Sequence, residues 1–346
     1  MKKEIRIKKN VATLTDVAIR ANVSTATVSR CLNMPEKVDP ETQKRVMLAV
    51  EELSYAPNFG AKIMAARRSN TIGAIIPTME NSIFARGIQA FQEELSTHGF
   101  TLIVASSSYQ ADIEEKQIRN LVARGAEALL LIGYHRNNNI YRFLKNRSLP
   151  YVITWAYENT QDHPAVGFNN CLAMATLTET VLEYGHRNIG CILADTKHND
   201  RSFARLLGIK EAMKPFSNES RLSILETTYS IESGANAFET LMQNSDKPTV
   251  IMCGNDVLAV GALKKAKEMK LRVPEDISIT GFDDIELAQV VEPNLTTVHV
   301  PHRKMGRKAA QTLVDMINAN ENRSDGEELH AYVCMRETLG KASIKA

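Results

Sequence analysis

The ten residues from Ser24 to Asn33 carry side chains suited to contact with nucleic acid. Apart from its larger apolar positions, this stretch holds only small or hydrogen-bonding residues, and it contains no carboxylate. Hydroxyl, amide and guanidinium groups are the ones that contact base edges and phosphate oxygens. The residues predicted to form such a surface are Ser24, Thr25, Ala26, Thr27, Ser29, Arg30 and Asn33.

Two short helices joined by a tight turn are predicted to position this surface. Thr15 is expected to cap the first helix and Ser24 the second, with Asn22 and Val23 in the turn. Apolar residues at helical spacing form the seam between them: Val17, Ala18, Ala21, Val28 and Leu32. The Asp-Pro-Glu run at 39–41 predicts a third helix, whose facing residues are Val46, Val50 and Leu53. The first two helices alone would fit any small helical pair with a solvated face. The third helix so close to them favours a helix-turn-helix headpiece instead.

Basic charge is concentrated in the N-terminal part of the chain. The 346 residues have a net charge of +2, yet residues 1–70 hold 13 Lys+Arg against 7 Asp+Glu, a net charge of +6. The remainder holds 29 against 33, a net charge of −4. An excess of this kind supports contact with DNA through release of counterions. The length is sufficient for two or three cores.

The cysteines and the N-terminus favour a cytoplasmic protein without a metal centre. Five cysteines is an odd number, and they are scattered without metal-ligand spacing: Cys31, Cys171, Cys191, Cys253 and Cys334. Free thiols in a reducing compartment are expected, with no cofactor and no metal. No apolar stretch follows the basic N-terminus, as a signal peptide would require, and no segment is long enough for a membrane span.

Beyond residue 70, apolar runs alternate with amphipathic helices. Strands are predicted at 72–77, 101–105, 128–132, 151–154, 189–193, 249–253 and 277–281. Helices are predicted near 84–99, 112–124, 138–147, 170–185, 199–214, 231–243, 256–270 and 301–318. Continuous β-branched strands between helices indicate parallel sheets covered on both faces, and their number suggests two such sheets. Open parallel sheets bind ligands beyond the carboxyl ends of their strands.

The chain resembles the lactose-repressor (LacI/GalR) family of bacterial transcription regulators. The resemblance rests on the runs Leu-x-Asp-Val-Ala at 14–18, Val-Ser-x-x-Thr-Val-Ser-Arg at 23–30, Leu-Asn at 32–33 and Leu-x-Tyr-x-Pro-Asn at 53–58. It implies an all-α helix-turn-helix headpiece (1–57), a hinge helix or linker (58–70) and an α/β two-lobed, type I periplasmic-binding-protein-like effector domain (71–340). The N-lobe is expected at about 71–168 and 298–325 and the C-lobe at about 169–297 and 326–340, with crossings near 169, 297 and 325.

The resemblance also assigns residues to DNA. Thr25, Ala26 and Arg30 are expected at base edges, and Thr27, Ser29 and Asn33 near phosphates. Methionine stands at the position of the hinge wedge, where leucine is usual in the family, and a plain linker is the alternative for this segment. The further DNA-contacting residues implied are Thr15, Tyr55, Asn58, Ala61 and Met64.

The same resemblance places an effector site between the lobes. The residues expected to line it are Asn81, Phe84, Asn169, Arg205, Asn255 and Asp283, with Trp155 as a further candidate. Carboxylate and amide groups orient hydroxyls, arginine can bind two oxygens, and an aromatic ring offers a flat apolar face. A sugar, sugar acid or related metabolite is therefore predicted. Core packing for Phe84, an ion pair for Arg205 and a helix cap for Asp256 are the alternatives.

These features predict a dimeric, effector-gated DNA-binding regulator, expected to repress a metabolic operon. It would bind a pseudo-palindromic double-stranded operator. A solute-binding protein of a transport system is the alternative, and the headpiece speaks against it. Catalytic motifs such as Gly-x-Ser-x-Gly, Gly-x-Gly-x-x-Gly and His-Glu-x-x-His are absent, so an enzyme is not expected. The residues do not identify the operator or the effector. They also do not distinguish repression from activation, or release of DNA from its retention when the effector binds.

Overall fold

The computed structural model describes residues 12–56, 68–159, 163–319 and 326–342. The chain divides into two compact units, residues 1–69 and 70–346, each of which is described by itself. No helix of the described residues is both long and apolar enough to cross a membrane.

The first unit is a bundle of three short helices. They are α1 (Leu14–Ala21), α2 (Thr25–Asn33) and α3 (Pro40–Glu52), with a 3-10 turn at Pro35–Lys37 before α3. The cap of α1 is Thr13, not Thr15: Thr13 and Asp16 form a reciprocal capping box, and the helix therefore begins two residues earlier than predicted. Ser24 and Asp39 cap α2 and α3 as expected. The fully buried seam is Val17, Ala18, Ala21, Val28, Cys31, Val46 and Ala49, with the predicted Leu32, Val50 and Leu53 packed around it.

The second unit contains two parallel sheets. The first sheet has the order β11-β5-β4-β3-β1-β2 and the second β7-β6-β8-β9. The strands of the first sheet are β1 (Thr71–Ile76), β2 (Thr101–Ser106), β3 (Ala128–Ile132), β4 (Tyr151–Thr154), β5 (Ala165–Gly167) and β11 (Glu327–Glu328). Those of the second are β6 (Asn188–Leu193), β7 (Arg221–Glu226), β8 (Val250–Cys253) and β9 (Ser278–Thr280). Strands β1, β3 and β8 are buried throughout, as expected for sheets covered on both faces.

Helices cover both sheets and connect their strands. They are α4 (Ser82–Thr97), α5 (Ala111–Ala123), α6 (Asn138–Asn146), α7 (Asn170–Glu183), α8 (Asp200–Met213), α9 (Ile231–Met242), α10 (Asp256–Glu268), α11 (Leu287–Val290) and α12 (His302–Ala319). A lobe is used below for one sheet with its helices. Helix α12 returns to the first lobe, where it packs on α4 so closely that a Cβ on Gly306 would lie 2.0 Å from the carbonyl oxygen of Gly87.

A two-stranded antiparallel ribbon, β10 (Thr297–His299) with β12 (Tyr332–Cys334), joins the lobes. Strand β11 still pairs with β5 of the first lobe, so the third crossing lies after Glu328 and not near 325. The sequence pattern missed β5, β7 and the three strands after β9. Four of these are only two or three residues long, too short to show a period, and β7 is an edge strand with charged ends.

Candidate functional site

Helix α2 presents the predicted polar surface on the outside of the helical bundle. Thr25, Ala26, Arg30 and Asn33 are exposed, and Thr27 and Ser29 are half-buried. The Ser24 hydroxyl accepts a hydrogen bond from the Thr27 backbone N–H at 3.1 Å, and Asn33 Nδ2 donates to the Ser29 carbonyl at 2.9 Å. These local bonds hold the small side chains in place. Arg30 has no ion pair among the described residues. It is exposed on the same helix as the small, exposed side chains of Thr25 and Ala26.

Two further predicted contacts lie outside α2. Thr15 is exposed in the first turn of α1, and Tyr55 packs against the core of the bundle after α3. Asn58, Ala61 and Met64, with the hinge they belong to, lie outside the described residues.

In the second unit, residues from both lobes converge on one cleft at the carboxyl ends of the strands. Six of the seven residues predicted for the effector site line this cleft: Asn81, Phe84, Trp155, Arg205, Asn255 and Asp283. The sequence reasoning did not include Ile83, Tyr109, Asn199, Arg201 and Tyr229, which line the same space. Arg201 could have been found, because it lies one helical turn before Arg205 on α8. The two tyrosines stand in loops without a periodic pattern.

Asn169 does not line the cleft. It caps α7, where its Oδ1 accepts from the Leu172 N–H at 3.0 Å, and it belongs to a different surface depression. The next residue, Asn170, is buried: its Oδ1 accepts from Arg205 Nε at 2.9 Å, and its Nδ2 donates to the Trp155 carbonyl at 3.0 Å. Helix α7 begins at Asn170 as predicted, and Asn169 is its cap residue.

Arg205 and Asp283 form the centre of the cleft. Besides its bond to Asn170, Arg205 donates to the Gly254 carbonyl, and its guanidinium lies 3.9 Å from the centre of the Phe282 ring. Its Nη2 is 3.7 Å from Asp283 Oδ1, too far for a hydrogen bond. That oxygen is buried and has no hydrogen-bond partner among the described residues. Burial raises the pKa of Asp283 to about 7, although Arg205 and Arg201 act to lower it.

Three helices begin at the cleft, each with an asparagine cap. Asn81 caps α4, Asn199 caps α8 and Asn255 caps α10, and each side-chain oxygen accepts a backbone N–H of its own helix. The amide nitrogen is then the donor that each side chain can offer. Because helix N-termini carry partial positive charge, the cleft favours a negatively charged group in addition to its two arginines.

The wall opposite Arg205 is aromatic. Trp155 is buried and meets Phe84 edge-to-face, with ring centres 5.3 Å apart. Its Nε1 donates to His302 Nδ1 at 3.2 Å, and His302 Nε2 donates to the Asp283 carbonyl at 3.1 Å. Burial lowers the pKa of His302 to about 3, so the imidazole is neutral and can accept from one partner while donating to the other. His302 thus positions both walls without lining the cleft.

The two lobes are in direct contact around the cleft. Asp200 of the second lobe accepts from the backbone N–H groups of Tyr134 at 2.5 Å and His135 at 3.3 Å in the first. Arg86 pairs with Glu286 across the cleft, and the rings of Tyr109 and Tyr229 are 6.0 Å apart. The space enclosed by the cleft side chains is about 10 Å³, room for about one water. A cavity of about 310 Å³ adjoins it and shares Tyr109 and Arg201 with it.

Asp256 follows the Asn255 cap and fixes the loop behind the cleft. Its carboxylate accepts from the Ile285 N–H at 2.8 Å and from the Thr297 hydroxyl at 2.5 Å. Its role is structural, close to the helix-start role predicted for it. Burial, and secondarily the neighbouring Asp283, raises its pKa well above the usual range.

Comparison with known proteins matches both units. Residues 13–58 match the family of bacterial regulatory proteins called the lacI family, and residues 178–339 match the periplasmic binding protein-like domain. The HTH-type transcriptional repressor PurR of Aliivibrio salmonicida is 33% identical over 336 residues, which cover 96% of this chain and 100% of that protein. The PurR repressor of Vibrio vulnificus is 31% identical, with 96% and 99% covered.

Solved structures agree in fold. A LacI family regulator from Silicibacter pomeroyi superposes with a TM-score of 0.86 at 24% identity, over 95% of this chain and 99% of that one. The lac repressor dimer bound to operator and the anti-inducer ONPF superposes with a TM-score of 0.82 at 23% identity, over 95% and 99%. Both PurR relatives are transcriptional repressors. This chain belongs to the lacI family of bacterial regulatory proteins, as a DNA-binding transcriptional repressor regulated by a small-molecule effector.

Proposed function

We propose that the effector is a small polyhydroxylated acid, such as a sugar acid, held between the lobes. The observation that carries this proposal is the buried Asp283 Oδ1, which has no hydrogen-bond donor among the described residues. Leaving a buried carboxylate oxygen unpaired costs free energy, and a hydroxyl of the effector would remove that cost.

The acid group of the effector is supported by the charges opposite Asp283. Arg201 and Arg205 lie one turn apart on α8, and three helix N-termini point positive ends at the same space. Arg205 is already bound to Asn170 and the Gly254 carbonyl, so it serves as a fixed positive wall. Arg201 is tied to Asp200 by one ion pair at 2.8 Å, and we assign it the direct contact with the carboxylate.

The aromatic side chains would take the apolar face of the ligand. Phe84, Trp155, Tyr109 and Tyr229 surround the cleft, and sugar C–H groups pack on such rings. Asn81, Asn199 and Asn255 would donate to hydroxyl or ring oxygens. These assignments predict binding without turnover, because the cleft lining in the described residues contains no nucleophile beside a general base.

We propose that α2 reads the operator. Arg30, with Thr25 and Ala26, would face base edges, and Thr27, Ser29 and Asn33 would lie near phosphates. Thr15, Tyr55 and the hinge residues Asn58, Ala61 and Met64 would add contacts outside the recognition helix. The division into headpiece 1–57, hinge 58–70 and effector domain 71–340 belongs to the same proposal, with the third lobe crossing moved beyond Glu328.

The gating step follows from the contacts between the lobes. An effector seated among Arg205, Asp283 and the aromatic side chains would rearrange the lobe contacts through Asp200, the Arg86–Glu286 pair and the two tyrosines. Its binding free energy therefore shifts the equilibrium between two lobe arrangements. That shift is what the DNA-binding end of the dimer would sense.

A ligand screen on the full-length protein tests the proposal. Thermal shift with aldonic acids, uronic acids, the matching neutral sugars and flat heterocycles of similar size should give its largest stabilisation with an acid. Calorimetry then measures the Kd of the best ligand for the wild type, Arg201→Gln and the control Arg119→Gln, whose arginine pairs with Glu115 on a surface helix. Loss of binding in Arg201→Gln alone supports the proposal. Tightest binding of a neutral sugar or a heterocycle, or equal Kd values in both variants, would contradict it.

A further inference from the structure

Three potential metal ligands from three separate segments meet at the ribbon that joins the lobes. They are Asp284, from the loop after β9, His299 in β10 and Cys334 in β12. Their ligand atoms, a carboxylate oxygen, an imidazole nitrogen and the thiol sulfur, all lie within 4.8 Å of one another. Among the described residues this is the only group of three such side chains so arranged.

The pairing of the ribbon strands brings the imidazole and the thiol together. Thr297 is opposite Cys334 and His299 is opposite Tyr332, so His299 and Cys334 are diagonal neighbours on one face of the ribbon. The His299 ring stacks on Tyr332 with centres 4.8 Å apart, which fixes its orientation. His299 Nδ1 lies 2.8 Å from Asp284 Oδ2, and Cys334 Sγ lies 3.8 Å from the same oxygen.

Arg336 orients the carboxylate from the other side. Its Nη2 donates to Asp284 Oδ1 at 2.5 Å, which leaves Oδ2 for the histidine and the cysteine. A hydrogen bond to the second oxygen of a ligating carboxylate is a common outer-shell arrangement in metal sites. The negative charges of the Asp284 carboxylate and the Cys334 thiolate would offset the positive charge of the Arg336 guanidinium beside the ion.

We propose that Asp284, His299 and Cys334 bind a divalent transition metal ion of the zinc class. Thiolate, imidazole and carboxylate are the ligands that Zn²⁺ takes, at bonds of about 2.0–2.3 Å, and ligand atoms in a tetrahedral zinc site lie about 3.3–3.8 Å apart. The present spacing therefore needs only small side-chain rotations. Three protein ligands leave a fourth position for water, and the half-exposed His299 and Cys334 provide access from solvent.

Binding releases one proton and rearranges another. The Cys334 thiol loses its proton to solvent as the sulfur bonds to the ion. The ion replaces the hydrogen on Nδ1 between His299 and Asp284, and this proton moves by exchange with solvent to Nε2, so the imidazole stays neutral. The ion would thereby tie both strands of the lobe connection to the loop that carries Asp283, the neighbour of Asp284 in the effector cleft.

Cobalt spectroscopy on the full-length, chelator-treated and reduced protein tests this site. One equivalent of Co²⁺ should produce thiolate-to-cobalt charge-transfer absorption, and Zn²⁺ should abolish it by displacement. Cys334→Ser should lose this absorption, whereas Cys171→Ser, which removes the other half-exposed cysteine, should keep it. His299→Gln, which can still hydrogen-bond to Asp284, should weaken Zn²⁺ binding in calorimetry by at least roughly 10–100-fold, the loss seen for outer-shell partners alone.

Circular dichroism and the thermal midpoint of each apo variant show whether it is folded, and only folded variants are compared. Absence of the charge-transfer band in the wild type would overturn the proposal. The proposal would also be overturned if the band persisted in Cys334→Ser or disappeared in Cys171→Ser. An unchanged Zn²⁺ affinity in His299→Gln would overturn it as well.

Discussion

Replacing Asp283 by asparagine should stabilise the unliganded protein and, at the same time, prevent effector binding. In the folded protein burial raises the pKa of Asp283 from its ordinary value of 3.8 to about 7. Between these two values the folded protein holds a proton that the unfolded chain has released. The free energy of unfolding therefore falls as the pH rises through this interval, and it becomes constant with respect to this group above about pH 7.

The size of the effect follows from the two pKa values. From pH 5 to pH 8 the wild type should lose roughly 2–3 kcal/mol of its free energy of unfolding through Asp283, out of an upper limit of about 4 kcal/mol for three pKa units. Asp283→Asn cannot ionise and should lack this part of the slope. Effector affinity should show the opposite sign in the wild type, because an ionised Asp283 accepts the ligand hydroxyl. The ionised fraction rises roughly tenfold between pH 6 and pH 8, and the affinity should rise with it.

Urea unfolding followed by tryptophan fluorescence measures this slope selectively. Trp155 is the only tryptophan of the chain and it packs at the cleft, so its emission reports the second unit. Asp276→Asn is the control, since Asp276 is exposed and its pKa is lowered to about 2 by its hydrogen bonds to Arg272. That variant should keep the wild-type slope between pH 5 and pH 8. If Asp283→Asn also kept it, or bound the effector as tightly as the wild type, the reasoning about the unpaired carboxylate would be wrong.

Three further substitutions test the headpiece and the contact between the lobes. Arg30→Ala should lose roughly 1–3 kcal/mol of binding free energy at one operator position and relax the sequence preference there. Equal weakening of binding to every duplex in anisotropy titrations would refute a base contact. Ser24→Ala removes the α2 cap and should destabilise the headpiece by about 1 kcal/mol in denaturant unfolding. An unchanged unfolding midpoint would contradict the assignment of Ser24 as the cap. Gly133→Ala adds a Cβ that would lie 2.0 Å from Arg201 Nη1 and 2.5 Å from Asp200 Oδ1. It should therefore displace these two side chains, weaken the Asp200 contacts between the lobes and lower the thermal midpoint. Gly99→Ala has the same left-handed backbone but no atom within 4 Å, so its thermal midpoint should fall less, and an equal fall in both variants would contradict this contact.

The apolar periodicity of the sequence was sufficient to predict the elements that build the lobes. Strands with a continuous buried run, such as 128–132 and 151–154, were predicted with the bounds they have. The short strands of the ribbon were not, because their pairing is antiparallel and connects segments about 35 residues apart, and two or three residues give no period. The ribbon exists through tertiary pairing and not through local preference.

Cleft residues that follow a strand or begin a helix were predicted from the sequence, and those that lie in a loop were missed. Asn81, Asn255 and Asp283 follow predicted strands, so the rule for parallel sheets placed them together. Tyr109 and Tyr229 enter the cleft only because the two lobes face each other. Thr15 shows a different limit: a helix that begins two residues earlier than predicted has a different cap residue. Asn169 shows another, because its helix begins as predicted and its side chain caps that helix at a position outside the cleft.

The pair Asp283 and Asp284 explains why a cleft ligand would affect the connection between the lobes. Both residues have positive φ, +106° and +54°, a conformation that non-glycine side chains adopt only under constraint. The Asp283 N–H donates to the Val298 carbonyl of β10, and the Asp284 carboxylate binds His299 of the same strand and Arg336 beyond β12. One carboxylate therefore lies in the cleft while its neighbour is fixed to the ribbon that both lobes share. A ligand that draws Asp283 toward a hydroxyl cannot leave this loop unchanged, because its backbone is held by β10 on one side and by the Asp284 contacts on the other. The two strained residues are joined by one peptide bond and reach the crossing strands through these hydrogen bonds, and movement of the lobes about that ribbon is the form in which binding would be transmitted.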